Sequence, residues 1–70
     1  MLNPLSTYVE AGRMAAEARN EGDEARAKFH ADWFRRAKAL ETDENRVKAY
    51  EAYQHGYKLA RNVPTFKPFR

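Results

Sequence analysis

From Asp23 to Leu40 the chain runs DEARAKFHADWFRRAKAL, with no Gly or Pro to interrupt it, and this stretch holds the only Trp and two of the four Phe residues. It reads as a helix about 27 Å long. At helical spacing Ala25, Phe29, Trp33, Ala37 and Leu40 fall on one stripe. Asp23 is suited to the N-cap, and Gly22 before it to a chain reversal. Glu24, Lys28 and Asp32 follow at i, i+4 and support the solvent side. Ala27, Ala31 and Phe34 form a second, narrower strip on the opposite side. Two strips imply two neighbours, and in so short a chain the second can be another molecule.

The chain has 70 residues and no Cys. That length allows one domain, and it buries only about 60% of the surface its unfolded form exposes. The absence of Cys excludes a disulfide framework and thiolate metal sites. No apolar run approaches the roughly 20 residues of a membrane span. The opening MLNPLSTYVEAG lacks the charged and apolar regions of a signal peptide, so the expected location is the cytoplasm. β-branched residues are scarce and Ala is abundant, which argues for helices packed closely around a few large anchors.

The remaining segments fit that picture. Asn3-Pro4 is suited to opening a first helix, with Asn3 as N-cap and Pro4 at the first helical position. Thr7 with Glu10 offers a competing capping box. Leu5, Tyr8, Val9, Gly12, Ala15, Ala16 and Arg19 then line one face. Gly12 is costly inside a helix, and close packing against Trp33 or Phe29 is the expected reason. Asn20-Glu21-Gly22 stops this helix, and so short a loop sets the first two helices antiparallel. Between Glu41 and Asn45, Thr42 or Asp43 can cap a third helix from about Glu44 to Arg61, but no Gly or Pro enforces the break. A single bent helix over 23–61 therefore stands as the alternative. The expected fold is all-α, an antiparallel helical hairpin or three-helix unit over 1–63, followed by an extended Pro/Phe/basic tail over 64–70.

The third helix carries two adjacent apolar strips. One has Val47, Tyr50, Tyr53, Tyr57 and Ala60; the other has Ala49, Ala52, Gly56, Leu59 and, beyond the helix end, Val63. The small strip is expected to pack on the other helices, leaving the tyrosines partly exposed. Interfaces favour Tyr, Phe and Arg. The expected partner-binding set is thus Arg46, Tyr50, Tyr53, Tyr57 and Arg61, with Phe66 and Phe69 as anchors in the tail.

Charge adds an alternative. Residues 1–45 carry seven Lys/Arg and nine Asp/Glu, net −2, whereas residues 46–70 carry six Lys/Arg and the single acid Glu51, net +5. Lys48, Lys58, Arg61, Lys67 and Arg70, interleaved with aromatic rings, could serve a nucleic acid, although Glu51 interrupts the basic side. Catalysis finds little support. Ser6 is the only Ser, and the pairs Glu51/His55 and His30/Asp32 each fall short of the ligand count of a zinc site. There is no Gly-rich phosphate loop. The expectation is a non-enzyme with no metal and no cofactor.

In its size, its Ala-rich texture, the Ala11-Gly12-Arg13 turn and the late run His55-Gly56-Tyr57-Lys58-Leu59-Ala60-Arg61, the chain resembles the small helical accessory proteins of tailed bacteriophages. That group includes anti-CRISPR proteins and inhibitors of host regulators, many of which cover a functional surface of a host protein. The resemblance implies an inhibitor or adaptor of a host protein, acting in the host cytoplasm. A homodimer is also expected, and a helical assembly subunit is the third reading.

Overall fold

The computed structural model describes residues 1–62, which form three helices: α1 (Leu5–Asn20), α2 (Glu24–Ala39) and α3 (Asp43–Asn62). Val63 and the tail over 64–70, with Phe66, Phe69, Lys67 and Arg70, lie outside the described residues. The all-α three-helix unit is the observed fold, so the bent-arm alternative falls away. Among the described residues, no helix is long and apolar enough to cross a membrane.

Each boundary has a local cause. At the end of α1, Gly22 takes φ 80. Its N–H donates to the Arg19 carbonyl at 3.0 Å and the Asp23 N–H to the Ala18 carbonyl at 2.8 Å, the crossed pair that closes a helix end. Asp23 caps α2 as expected, its carboxylate accepting from the Arg26 N–H at 3.0 Å. Thr42 caps α3, its hydroxyl accepting from the Asn45 N–H at 3.3 Å. The N-cap of α1 is a correction. Pro4 occupies that position with no side-chain cap, because the Asn3 amide is turned instead towards the Tyr8 hydroxyl at 3.4 Å.

α1 is the central helix: α2 and α3 both pack on it and scarcely touch each other. Tyr8, near the start of α1, meets Trp33 and Phe34 in the second half of α2, so these two helices run antiparallel. Asn20 at the end of α1 donates to the Ala60 carbonyl near the end of α3, so α1 and α3 run parallel.

Gly12 is explained by α3, not by Trp33 or Phe29. A Cβ on Gly12 would lie 2.0 Å from the Tyr53 carbonyl oxygen, and one on Gly56 would lie 2.0 Å from that of Val9. The two glycines face each other's helix reciprocally, so α1 and α3 cross with backbone against backbone. The crossing joins the Ala11-Gly12-Arg13 turn to the His55-Gly56-Tyr57 turn. At the shared C-terminal end the Arg61 guanidinium donates to the Asn20 side-chain oxygen at 3.0 Å, pinning the pair together.

The core is correspondingly thin. Seven of its nine buried hydrophobic residues are Ala, and the two large ones are Tyr8 and Phe34. The two strips of α2 exchange the roles that their sizes imply. Ala27 and Phe34 of the narrow strip are buried, whereas Phe29 and Leu40 of the broad one are 61% and 74% exposed. Trp33 and Ala37 alone carry the broad stripe into the core. Phe34 wins the inner position because it reaches both partners: it meets Tyr8 of α1 edge-on at 5.8 Å and stacks on Tyr53 of α3 at 4.0 Å. The packed face of α3 likewise mixes the two expected strips, taking Ala49, Ala52, Tyr53 and Gly56 inward while Leu59 and Val47 remain exposed.

Candidate functional site

The tyrosine flank of α3 is open because α2 packs mainly on α1 and scarcely covers α3. Tyr50, Tyr53 and Tyr57 succeed one another at spacings of three and four and so share that flank. With Gln54 and Lys58 they line a shallow hollow of about 280 Å³. The three rings are not equivalent. Tyr53 is the innermost, stacked on Phe34, and burial raises its phenol pKa, with Tyr57 adding to the rise and Arg19 opposing it. Tyr57 is half-buried and tilts against Tyr53 at 6.2 Å. Tyr50 is 46% exposed, and its hydroxyl accepts from the Gln54 amide at 2.8 Å. The Lys38 ammonium of α2 lies 5.3 Å from the ring centroids of both Phe34 and Tyr50, placing a cation at the edge of the flank.

Of the predicted rim arginines, neither borders this hollow. Arg46 pairs with Asp43 and donates to the Ala39 carbonyl at 3.2 Å, tying the start of α3 to the end of α2. Arg61 is held by Asn20 at the far end. Both secure helix ends, some 22 Å apart along α3. Of the expected binding set, the hollow thus gathers the three tyrosines, while Arg46 and Arg61 lie towards the two ends of α3. Lys58, proposed from the sequence for nucleic acid, joins them instead.

Among the described residues, the other expected nucleic-acid contacts, Lys48 and Arg61, do not line this hollow with Lys58. Lys48 lies 3.9 Å from Glu44. Glu51 falls between Lys48 and Lys58 on the same side, and Arg61 is occupied. Of the two His/carboxylate neighbourhoods, Glu51 and His55 are exposed. His30 lines a groove beside Phe29, while Asp32 pairs with Lys28 and Arg35, which hold its carboxyl below the usual range.

A second surface was missed in the sequence. Ser6, Thr7, Glu10 and Met14 of α1 face Phe29, His30 and Trp33 of α2 across a groove of about 640 Å³. On the other side of Trp33 lies a separate hollow of about 420 Å³, with Leu2, Arg36 and Leu40 on its walls. Both share Trp33, so the two hollows flank its ring along the edge between α1 and α2. The signal is present in the sequence as the two apolar strips of α2, which imply a second neighbour; the structure shows that Phe29 and Leu40 are the exposed members.

One buried polar cluster organises the N-terminus. Glu41, only 4% exposed, accepts from the Tyr8 hydroxyl at 2.7 Å and from the Leu2 N–H at 3.0 Å. It also accepts from the Asn3 N–H at 3.3 Å. The Tyr8 hydrogen bond, with these N–H groups, holds the Glu41 carboxyl below its ordinary pKa. Burial, with the carboxylate nearby, pushes the Tyr8 phenol up, while the Asn3 amide works the other way. No buried side-chain polar atom among the described residues is left without a partner.

No protein-family model, curated protein or solved structure matches this chain.

Proposed function

We propose that the chain is a small protein-binding inhibitor or adaptor of the phage type. It acts in the host cytoplasm by laying the tyrosine flank of α3 over a functional surface of a host protein. One observation supports the reading above others: three tyrosines stand side by side with only Tyr53 committed to the core. Such rings offer a broad contact area with a polar tip and little rotamer freedom to lose, the character of interface hot spots. Lys38 and Lys58 give the flank a basic margin, which suits an acidic target surface.

The test is capture from bacterial lysate with the tagged wild-type chain and with Y50A/Y57A, helicity being checked by circular dichroism. The wild type should retain a discrete host protein that the double variant loses at unchanged helicity. Equal capture by both chains, or none by either, would overturn the reading. Binding of duplex or single-stranded DNA at about 50 mM salt, weakening steeply as salt rises, would support the nucleic-acid alternative in its place.

A further inference from the structure

We infer that a second copy of this chain docks antiparallel on the outward face of α2. Phe29, Trp33, Arg36 and Leu40 follow one another at spacings of four, three and four, the spacing of a seam between two helices. They occupy about 17 Å of helix. Among the described residues no element covers Phe29 and Leu40, which are among the most exposed large apolar side chains. The two hollows flanking Trp33 extend the face onto α1 and the N-terminal segment, adding Met14 and Leu2.

The charge on the seam selects the occupant and its direction. The nearby cations Arg26, Lys28, Arg35 and Arg46 each have a carboxylate partner. Arg36 has none among the described residues. In a parallel pairing Arg36 would meet its own copy, charge against like charge. In the antiparallel pairing Trp33 lies across from Arg36 of the second copy, and Phe29 across from Leu40. Each guanidinium then rests on an indole, with the carboxylate of Asp32 one residue away. A two-fold axis makes every such contact twice, so one patch holding both halves of the pair is self-complementary. Phe29, Trp33, Leu40, Leu2 and Met14, with the stem of Arg36, would bury on the order of 600 Å² per copy, the size of the smaller specific interfaces. This face is separate from the tyrosine flank, which lies on the other side of α2, and the inference stands without that reading.

Sedimentation equilibrium of the full chain tests it. The wild type should pass from monomer to dimer with a dissociation constant on the order of micromolar to tens of micromolar. F29E/L40E should remain monomeric with wild-type helicity, since both side chains point to solvent. R36A should weaken the dimer roughly threefold to tenfold. Y50A/Y57A should dimerise as the wild type does. Should F29E/L40E lose its helices, R36E at an exposed position carries the same test, because it sets like charges against Asp32 of the second copy, and it should be monomeric. A wild type still monomeric at about 1 mM overturns the inference. So does a dimer that survives R36E and F29E/L40E, or one lost in Y50A/Y57A.

Discussion

α1 meets its two neighbours in opposite ways. Against α3 it presents Gly12 and receives Gly56, so the backbones themselves approach closely. Against α2 it presents Tyr8, whose ring packs between Trp33 and Phe34. The first contact derives its tightness from what is missing at two positions. The second depends on a few large rings and leaves a groove along its outer edge. Close approach maximises dispersion contacts over a short crossing but tolerates no added atom. Ring packing tolerates small changes but cannot hide the far side of the helix that carries the rings. One small protein thus holds a rigid joint and an open one, and the surplus apolar surface collects at the open one.

The comparison can be broken most severely at the glycines. Gly12→Val or Gly56→Val should destabilise the fold by about 3 kcal/mol or more, because the added atoms meet a carbonyl rather than a movable side chain. In a chain whose total stability is only several kcal/mol, urea titration should then find the chain largely unfolded. Phe34→Ala attacks the other joint and should cost about 3 kcal/mol, because it removes the ring that links α2 to both Tyr8 and Tyr53. Near-wild-type stability in either variant would mean that the corresponding joint does not hold the helices.

Smaller changes sharpen the contrast. Tyr8→Phe should cost about 1–2 kcal/mol in the same titration, since it withdraws the hydroxyl donor from Glu41 while keeping the ring. The Glu41 carboxyl is depressed in the fold, so its contribution is present above the unfolded carboxyl pKa and is lost as pH falls through the folded value. Stability of the wild type should therefore fall on the acid side, and Glu41→Gln should flatten that part of the profile. An unchanged acid limb in Glu41→Gln would show that the cluster does not couple to folding. Phe29→Ala should change monomer stability by less than about 0.5 kcal/mol, despite removing a Phe, because its ring lies outside the packed faces.

These effects also mark what the sequence makes legible. The three helices, the Gly22 reversal and the Asp23 cap follow from local rules, because turn and cap chemistry is decided within a few residues. The caps at Pro4 and Thr42 are harder, since neighbouring residues offer competing caps and Tyr8, itself bonded to the distant Glu41, decides where Asn3 points. The choice between the two strips of α2 is not local at all. By size the Phe29-Trp33-Leu40 stripe outranks the Ala27-Ala31-Phe34 strip, yet the smaller strip goes inside because Phe34 alone can reach both Tyr8 and Tyr53. Gly12 announces a close approach without naming its partner, and the partner is the last helix rather than the next one. The tyrosine flank is legible as a strip. The unequal burial that makes Tyr53 structural and Tyr50 available depends on how far α2 diverges from α3.

Amide hydrogen exchange followed over a range of protein concentrations tests most directly whether the rigid joint is complete in one chain while the open one awaits cover. The account predicts the slowest exchange at the α1–α3 crossing, around Gly12 and Gly56, with protection along Phe29 to Leu40 weaker in dilute solution and rising as concentration rises. Exchange across α2 as slow as at the crossing, and the same at every concentration, would contradict it.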